Sequence, residues 1–166
     1  MERSGDTPQD GPGPTPRPRR LWTVDEATER LPAIREKVRE LRGWVSRLRA
    51  IHPELERLAS FWGKEIDSAD HPDKALKDRL EAESAMLTQR LEREILGLHE
   101  EGIELKDIDA GLLDFFSEID GEVVCLCWRD GEEEIGFYHT LIGGFRGRKP
   151  LRRRPTRANR PAHEAP

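Results

Sequence analysis

Apolar residues recur through the first half of the chain in alternating steps of three and four: Leu31, Ile34, Val38, Leu41, Val45, Leu48, then His52, Leu55, Ala59, Trp62 and Ile66. Such spacing returns to one side of an α-helix every two turns and predicts a heptad seam. Just upstream, Thr23-Val-Asp-Glu26 reads as a capping box, in which the Thr23 hydroxyl and the Glu26 carboxylate satisfy each other's backbone N–H, so a helix starts there. Pro32 fits the first turn of a helix starting near Leu31 or a kink in one begun at Thr23, and Pro53 fits a kink or a fresh start. The polar run Asp67 to Pro72 predicts a hairpin turn. A second helix, from about Asp73 to Glu101, lines up Leu76, Leu80, Leu87, Leu91, Ile95 and Leu98, with Ser84 in the gap and Gly102 as its cap. One pair of helices shields two such stripes poorly, so a homodimer with a four-helix arrangement is expected.

Beyond Gly102 the period falls to two. Ile103 to Lys106, Leu112 to Phe116, Glu122 to Arg129 and Glu134 to Leu141 are strand candidates, separated by turn signals at Asp109-Ala-Gly111, Asp120-Gly121 and Asp130-Gly131. The fold class is therefore α+β. A long antiparallel, coiled-coil-like helical hairpin (residues 23–101) is followed by a small antiparallel meander of three or four strands (103–142), within one domain over 21–149. The hairpin supplies cover for one face of the sheet. Residues 1–20, dense in Pro and Gly, and the basic residues 150–166 are expected to be disordered tails.

Charged residues make up 37% of the 166 and hydrophobic ones 35%, which leaves a thin core, more a seam than a broad interior. No run of about 18 apolar residues and no hydrophobic leader is present, which points to a soluble, cytoplasmic protein without a membrane partner. Cys125 and Cys127 lie too close in sequence for an ordinary bridge between elements and are expected as free thiols on one strand. Charge is unevenly spread: residues 146–166 carry about +7 and the region between the tails about −13. The Arg-rich end offers a polyanion-binding surface, but it holds no aromatic beyond Phe145 on which bases could stack, so nucleic acid is the less favoured partner.

Reactive side chains converge between Cys125 and Arg148. Cys127, His139 and Glu134, with Asp107, Asp109 and Asp114, have the donor types that zinc takes, though at no established ligand spacing, and no particular cofactor follows. Strand parity leaves two arrangements open. A two-residue turn at Asp130-Gly131 puts His139 opposite in face to Cys127, whereas a three-residue loop with a bulge at Gly131 puts Cys125, Cys127 and His139 together. Catalytic candidates are His139 as acid-base, oriented by Asp109 or Asp114, and Cys127 as nucleophile. Arg129 and Arg148, with the flexible backbone at Gly144 and Gly147, form an anion-binding combination, and the bland reading of the same loop plugs Phe145 into the core. Trp128 and Phe137 are expected to pack between sheet and helices.

The order Leu21 to Ala27, Gly102 to Phe115, Leu126 to Arg129, Glu134 to His139 and Gly144 to Pro150 resembles a prokaryotic family known as domain of unknown function 2203. The resemblance spans about residues 21–151 and implies one domain. It marks Asp109, Gly111, Asp114, Cys127, Trp128, Arg129, Glu134, His139, Gly144, Phe145, Gly147 and Arg148 as motif positions, and it implies no activity. The function expected from the residues is a non-enzymatic, oligomeric binding or scaffold module. The alternatives are a metal- or anion-binding enzyme around His139, Cys127, Asp109, Asp114 and Arg148, or polyanion binding through the tail.

Overall fold

A computed structural model describes residues 20–151; the expected tails at 1–19 and 152–166 lie outside the described residues. Helix α1 runs Val24–Trp62 and passes through both Pro32 and Pro53, so neither proline starts a new helix. Its capping box forms as expected: Thr23 Oγ1 accepts from the Glu26 N–H, and the Glu26 carboxylate accepts from the Thr23 N–H at 2.8 Å. A short 3-10 turn, Gly63–Asp67, and a polar connection lead into α2, Lys74–Glu100. Gly102 follows with φ +77; a Cβ there would meet the Arg20 carbonyl oxygen at 2.4 Å, which leaves glycine as the residue that fits.

Five strands follow in meander order: β1 Ile103–Asp107, β2 Leu112–Ile119, β3 Glu122–Arg129, β4 Phe137–Thr140 and β5 Lys149–Pro150. The expected three or four strands become five because Lys149–Pro150 adds along the outer edge of β4, helped by the Leu151 N–H donating to the Gly136 carbonyl. Asp120 (φ 53) and Gly121 (φ 83) make the two-residue hairpin between β2 and β3, since two successive positive φ values match the strand twist. At Asp130-Gly131 a hydrogen-bonded turn forms, the Glu132 N–H donating to the Arg129 carbonyl at 3.0 Å, but β4 does not pair directly from it. The chain loops from Asp130 to Gly136 before β4 begins.

Two cores hold the domain. The larger joins Ala27, Leu31, Ile34, Val38 and Leu41 of α1 and Leu98 of α2 to one sheet face made by Ile103, Leu113, Phe115, Leu126 and Trp128. The smaller lies within the distal hairpin, between Ile51, Leu58, Ile66, Leu80 and Leu87. Trp44 packs against both. It also marks a correction to the seam: after Leu41 the stripe takes a second step of three, so that Ile51 and Leu58 are buried and His52 and Ala59 are exposed. Leu48, Leu55, Trp62 and Ile66 keep their expected places in the seam, and the alternate positions shift back by one residue. On α2, Ile95 is also mostly outside the core, 38% exposed.

The chain ahead of α1 ties the two halves together. The Trp22 N–H donates to the Phe116 carbonyl (2.7 Å), its indole N–H to the Glu101 carbonyl (2.8 Å), and its carbonyl accepts from the Ser117 hydroxyl (2.6 Å). Arg42 does the same from mid-helix, donating to the Ile108 and Asp109 carbonyls and pairing with Asp130 at 2.5 Å. Gly111 (φ +61) lies so close that a Cβ would sit 2.7 Å from Arg42 Nη2.

Candidate metal centre

Register decides which side chains share the sheet's other face. In the β2–β3 ladder Asp114 lies directly opposite Cys127 and Phe116 opposite Cys125; in the β3–β4 ladder Cys125 lies opposite His139 and Cys127 opposite Phe137. Side chains alternate along a strand, so Asp114, Cys125, Cys127, Phe137 and His139 project together, away from the helices. This is the face assignment of the bulged-loop alternative, reached through a longer loop that has the same parity.

His139 reaches diagonally across β3. Its Nε2 lies 3.2 and 3.1 Å from the two oxygens of Asp114, and its Nδ1 lies 2.7 Å from the Thr140 carbonyl. A carbonyl only accepts, so Nδ1 carries the hydrogen and Nε2 is the nitrogen turned toward Asp114. One donor atom each from Asp114, Cys127 and His139 falls within 4.8 Å of the others, and these three residues are 0–2% exposed. Among the described residues no other set of His, Cys, Asp or Glu gathers in this way. Tetrahedral zinc, with bonds of about 2.0–2.3 Å, places its donors about 3.3–3.8 Å apart, so small side-chain adjustments suffice to close the site around an ion. The Nδ1–H donated to a backbone carbonyl is also the contact that orients a metal-bound imidazole.

The segment after β4 covers the site. Gly143 returns against Thr140 and His139, Gly144 (φ +54) turns the chain, and the Gly147 N–H donates to the Gly143 and Gly144 carbonyls. Arg148 then lies over Cys127. Its Nη2 donates to the Cys127 carbonyl (3.1 Å) and to the Glu132 carboxylate (2.7 and 2.8 Å), and its guanidinium stacks over Phe137 and Phe145. Phe145 is therefore part of a half-exposed stack and not a plug in the core, and Phe137 packs on the outer face while Trp128 alone joins the helix-facing core.

Other candidates sit elsewhere. Asp109 is 63% exposed at the β1–β2 turn and makes a bidentate pair with Arg49, whose guanidinium holds its carboxyl below the usual range. It takes no part in orienting His139. Asp107 caps the Ala110 N–H. Arg129 is exposed at the end of β3, and Glu134 is exposed in the β3–β4 loop, outside the clustered donors. Sequence reasoning missed Glu132, which fastens Arg148, and Thr140, which acts through its main chain and so leaves no side-chain signal.

Burial pushes the Cys127 thiol up to about 12, with the Asp114 charge adding and Arg148 opposing; burial and Asp114 likewise push Cys125 up to about 12, with Lys106 opposing. Both thiols are thus protonated at neutral pH when no ion is bound, which removes Cys127 as a free nucleophile. Thiols of the unfolded chain ionise near 9.0, before those of the folded chain. Their contribution to stability is complete below about pH 9 and is lost as the pH climbs toward 12. Urea melts of the metal-free protein from about pH 8 to 11 should show this loss, and a Cys125→Ala/Cys127→Ala variant should show less of it; equal slopes would refute the assignment.

The arrangement can hold a transition-metal ion. No curated protein and no solved structure matches the chain. The family model that does match, described as an uncharacterized conserved protein (DUF2203), covers residues 20–151, and the chain belongs to that family.

Proposed function

We propose that the domain is a non-enzymatic metal-binding module in which Asp114, Cys127 and His139 hold a divalent transition-metal ion, zinc by donor type. The observation that carries this reading is the convergence of three different donors, from three adjacent strands, onto one buried point with the second imidazole nitrogen already committed to Thr140. Nitrogen, sulfur and oxygen donors in this mixture favour zinc-class ions over magnesium or calcium, which take oxygen donors. Burial argues for a structural role. His139 and Cys127 are 2% and 0% exposed, so neither offers a substrate a path to acid-base or nucleophilic chemistry. An ion here would cross-link β4 to β2 and β3, the two strands that supply most of the sheet's buried side chains to the helix-facing core.

Elemental analysis of untagged protein, purified without chelator, tests it. One ion per chain is expected, lost in His139→Ala and in Cys127→Ala while far-ultraviolet circular dichroism stays that of the parent. A metal-free protein that also takes up no Zn2+ or Co2+ on titration would overturn the reading. Solution mass of the same sample tests the homodimer expected from the helical stripes.

A further inference from the structure

Three protein donors leave a tetrahedral ion one short, and the surroundings restrict what can complete it. Water or substrate would need access, yet the clustered donors are almost wholly buried beneath the segment that ends in Arg148. Two carboxylates lie close by, and both are occupied: Glu104, opposite Asp114 on β1, pairs with Lys106 at 2.8 Å, and Glu132 holds Arg148.

We infer that Cys125 is the fourth donor, closing the site as two cysteines, one histidine and one aspartate; this rests on the metal-binding reading above. Cys125 is 3% exposed, sits directly opposite His139, and shares its face with Cys127 two residues along β3. In the ion-free arrangement its sulfur lies outside the 4.8 Å cluster, so a side-chain rotation is required. That rotation is within reach. Residues i and i+2 on a strand are about 6.8 Å apart, two sulfurs on one zinc are about 3.8 Å apart, and each side chain therefore leans by about 1.5 Å. Charge is consistent with two thiolates: with Asp114 and a neutral imidazole they leave a Zn2+ site at about −1, and the Lys106 ammonium and Arg148 guanidinium lie near enough to Cys125 and Cys127 to interact with their charges. Each thiol proton leaves to solvent as its sulfur–metal bond forms. Two sulfur donors make the site thiophilic, selecting Zn2+, Co2+ or Cd2+ over Mg2+ and Mn2+.

Co2+ titrated into the metal-free full chain reads the donors directly, because sulfur-to-cobalt charge-transfer absorbance grows with the number of thiolates. The parent is expected to show about twice the band intensity of Cys125→Ser and of Cys127→Ser. Cys125→Ser should bind Zn2+ at least about tenfold more weakly, given that outer-shell contacts alone are worth that much. X-ray absorption of the zinc-loaded parent, which needs no substitution, should count two sulfur neighbours. A count of one, or a Cys125→Ser spectrum equal to the parent's, would overturn the fourth-donor assignment and leave the three-donor site standing. Failure of the parent to bind either ion would overturn both.

Discussion

Asp114→Ala is expected to lower the stability of the metal-free protein by about 1–3 kcal/mol, the cost of leaving buried polar groups without their partner. Asp114 is 1% exposed and His139 2%, so no water stands ready to replace the lost carboxylate. Truncation leaves His139 Nε2 without its buried polar partner while the Thr140 carbonyl still holds Nδ1, and the ring cannot turn away to find another. It also removes the oxygen with which the Cys127 thiol hydrogen-bonds. A lower urea midpoint at unchanged slope would report the effect. Asp114→Asn keeps shape and an acceptor oxygen and should cost less. A loss under about 1 kcal/mol in Asp114→Ala would mean that the pair is not buried as described, because a buried polar group left unsatisfied costs more than that.

Trp128→Ala should cost more, about 3–5 kcal/mol, and by a different route. Trp128 is fully buried at the contact between β3 and α1, and its indole N–H donates to the Glu132 carbonyl at 2.9 Å. The same carbonyl accepts from Arg35 at 2.8 Å, so the side chain both fills the core and fastens the β3–β4 loop to the helix. Trp128→Phe separates the two contributions: it keeps most of the volume and loses the hydrogen bond, an expected cost of about 1 kcal/mol plus any cavity left by the smaller ring. If Phe and Ala cost the same in thermal and urea melts, the loop anchor and not the core filling would be the dominant contribution.

What was legible in the sequence was local. Thr23 and Glu26 form their capping box, and Asp120-Gly121 makes its two-residue turn, because each is decided by residues within one turn of chain. The α1 stripe holds from Leu31 to Leu41 and then slips at Trp44, where a residue that touches both cores replaces the expected step of four. The β3–β4 loop was not legible because distant contacts set its length. Ile135 enters the main core, Arg35 takes the Glu132 and Glu133 carbonyls, and Arg148 takes the Glu132 carboxylate. That loop also settles the parity of β4, so the partnership of Cys127 with His139 stayed open until the register was known. Between two aspartates offered as partners for His139, only position on a ladder chooses: Asp114 faces Cys127, while Asp109 sits in a turn with Arg49 beside it. Strand β5 is two residues long and ends in proline, too little pattern to read.

The alternation of side chains in β3 has one more effect. Leu126 and Trp128 point into the helix-facing core, and Cys125 and Cys127 point to the opposite face. A pairing error of one residue would exchange the two sets, expelling an indole and a leucine into the donor cluster and driving thiols into the hydrocarbon. The penalty for that mistake falls on the apolar face, where it is large, and the donors inherit its accuracy. The three donors are thus aligned by error-checking carried out on the other side of the same sheet.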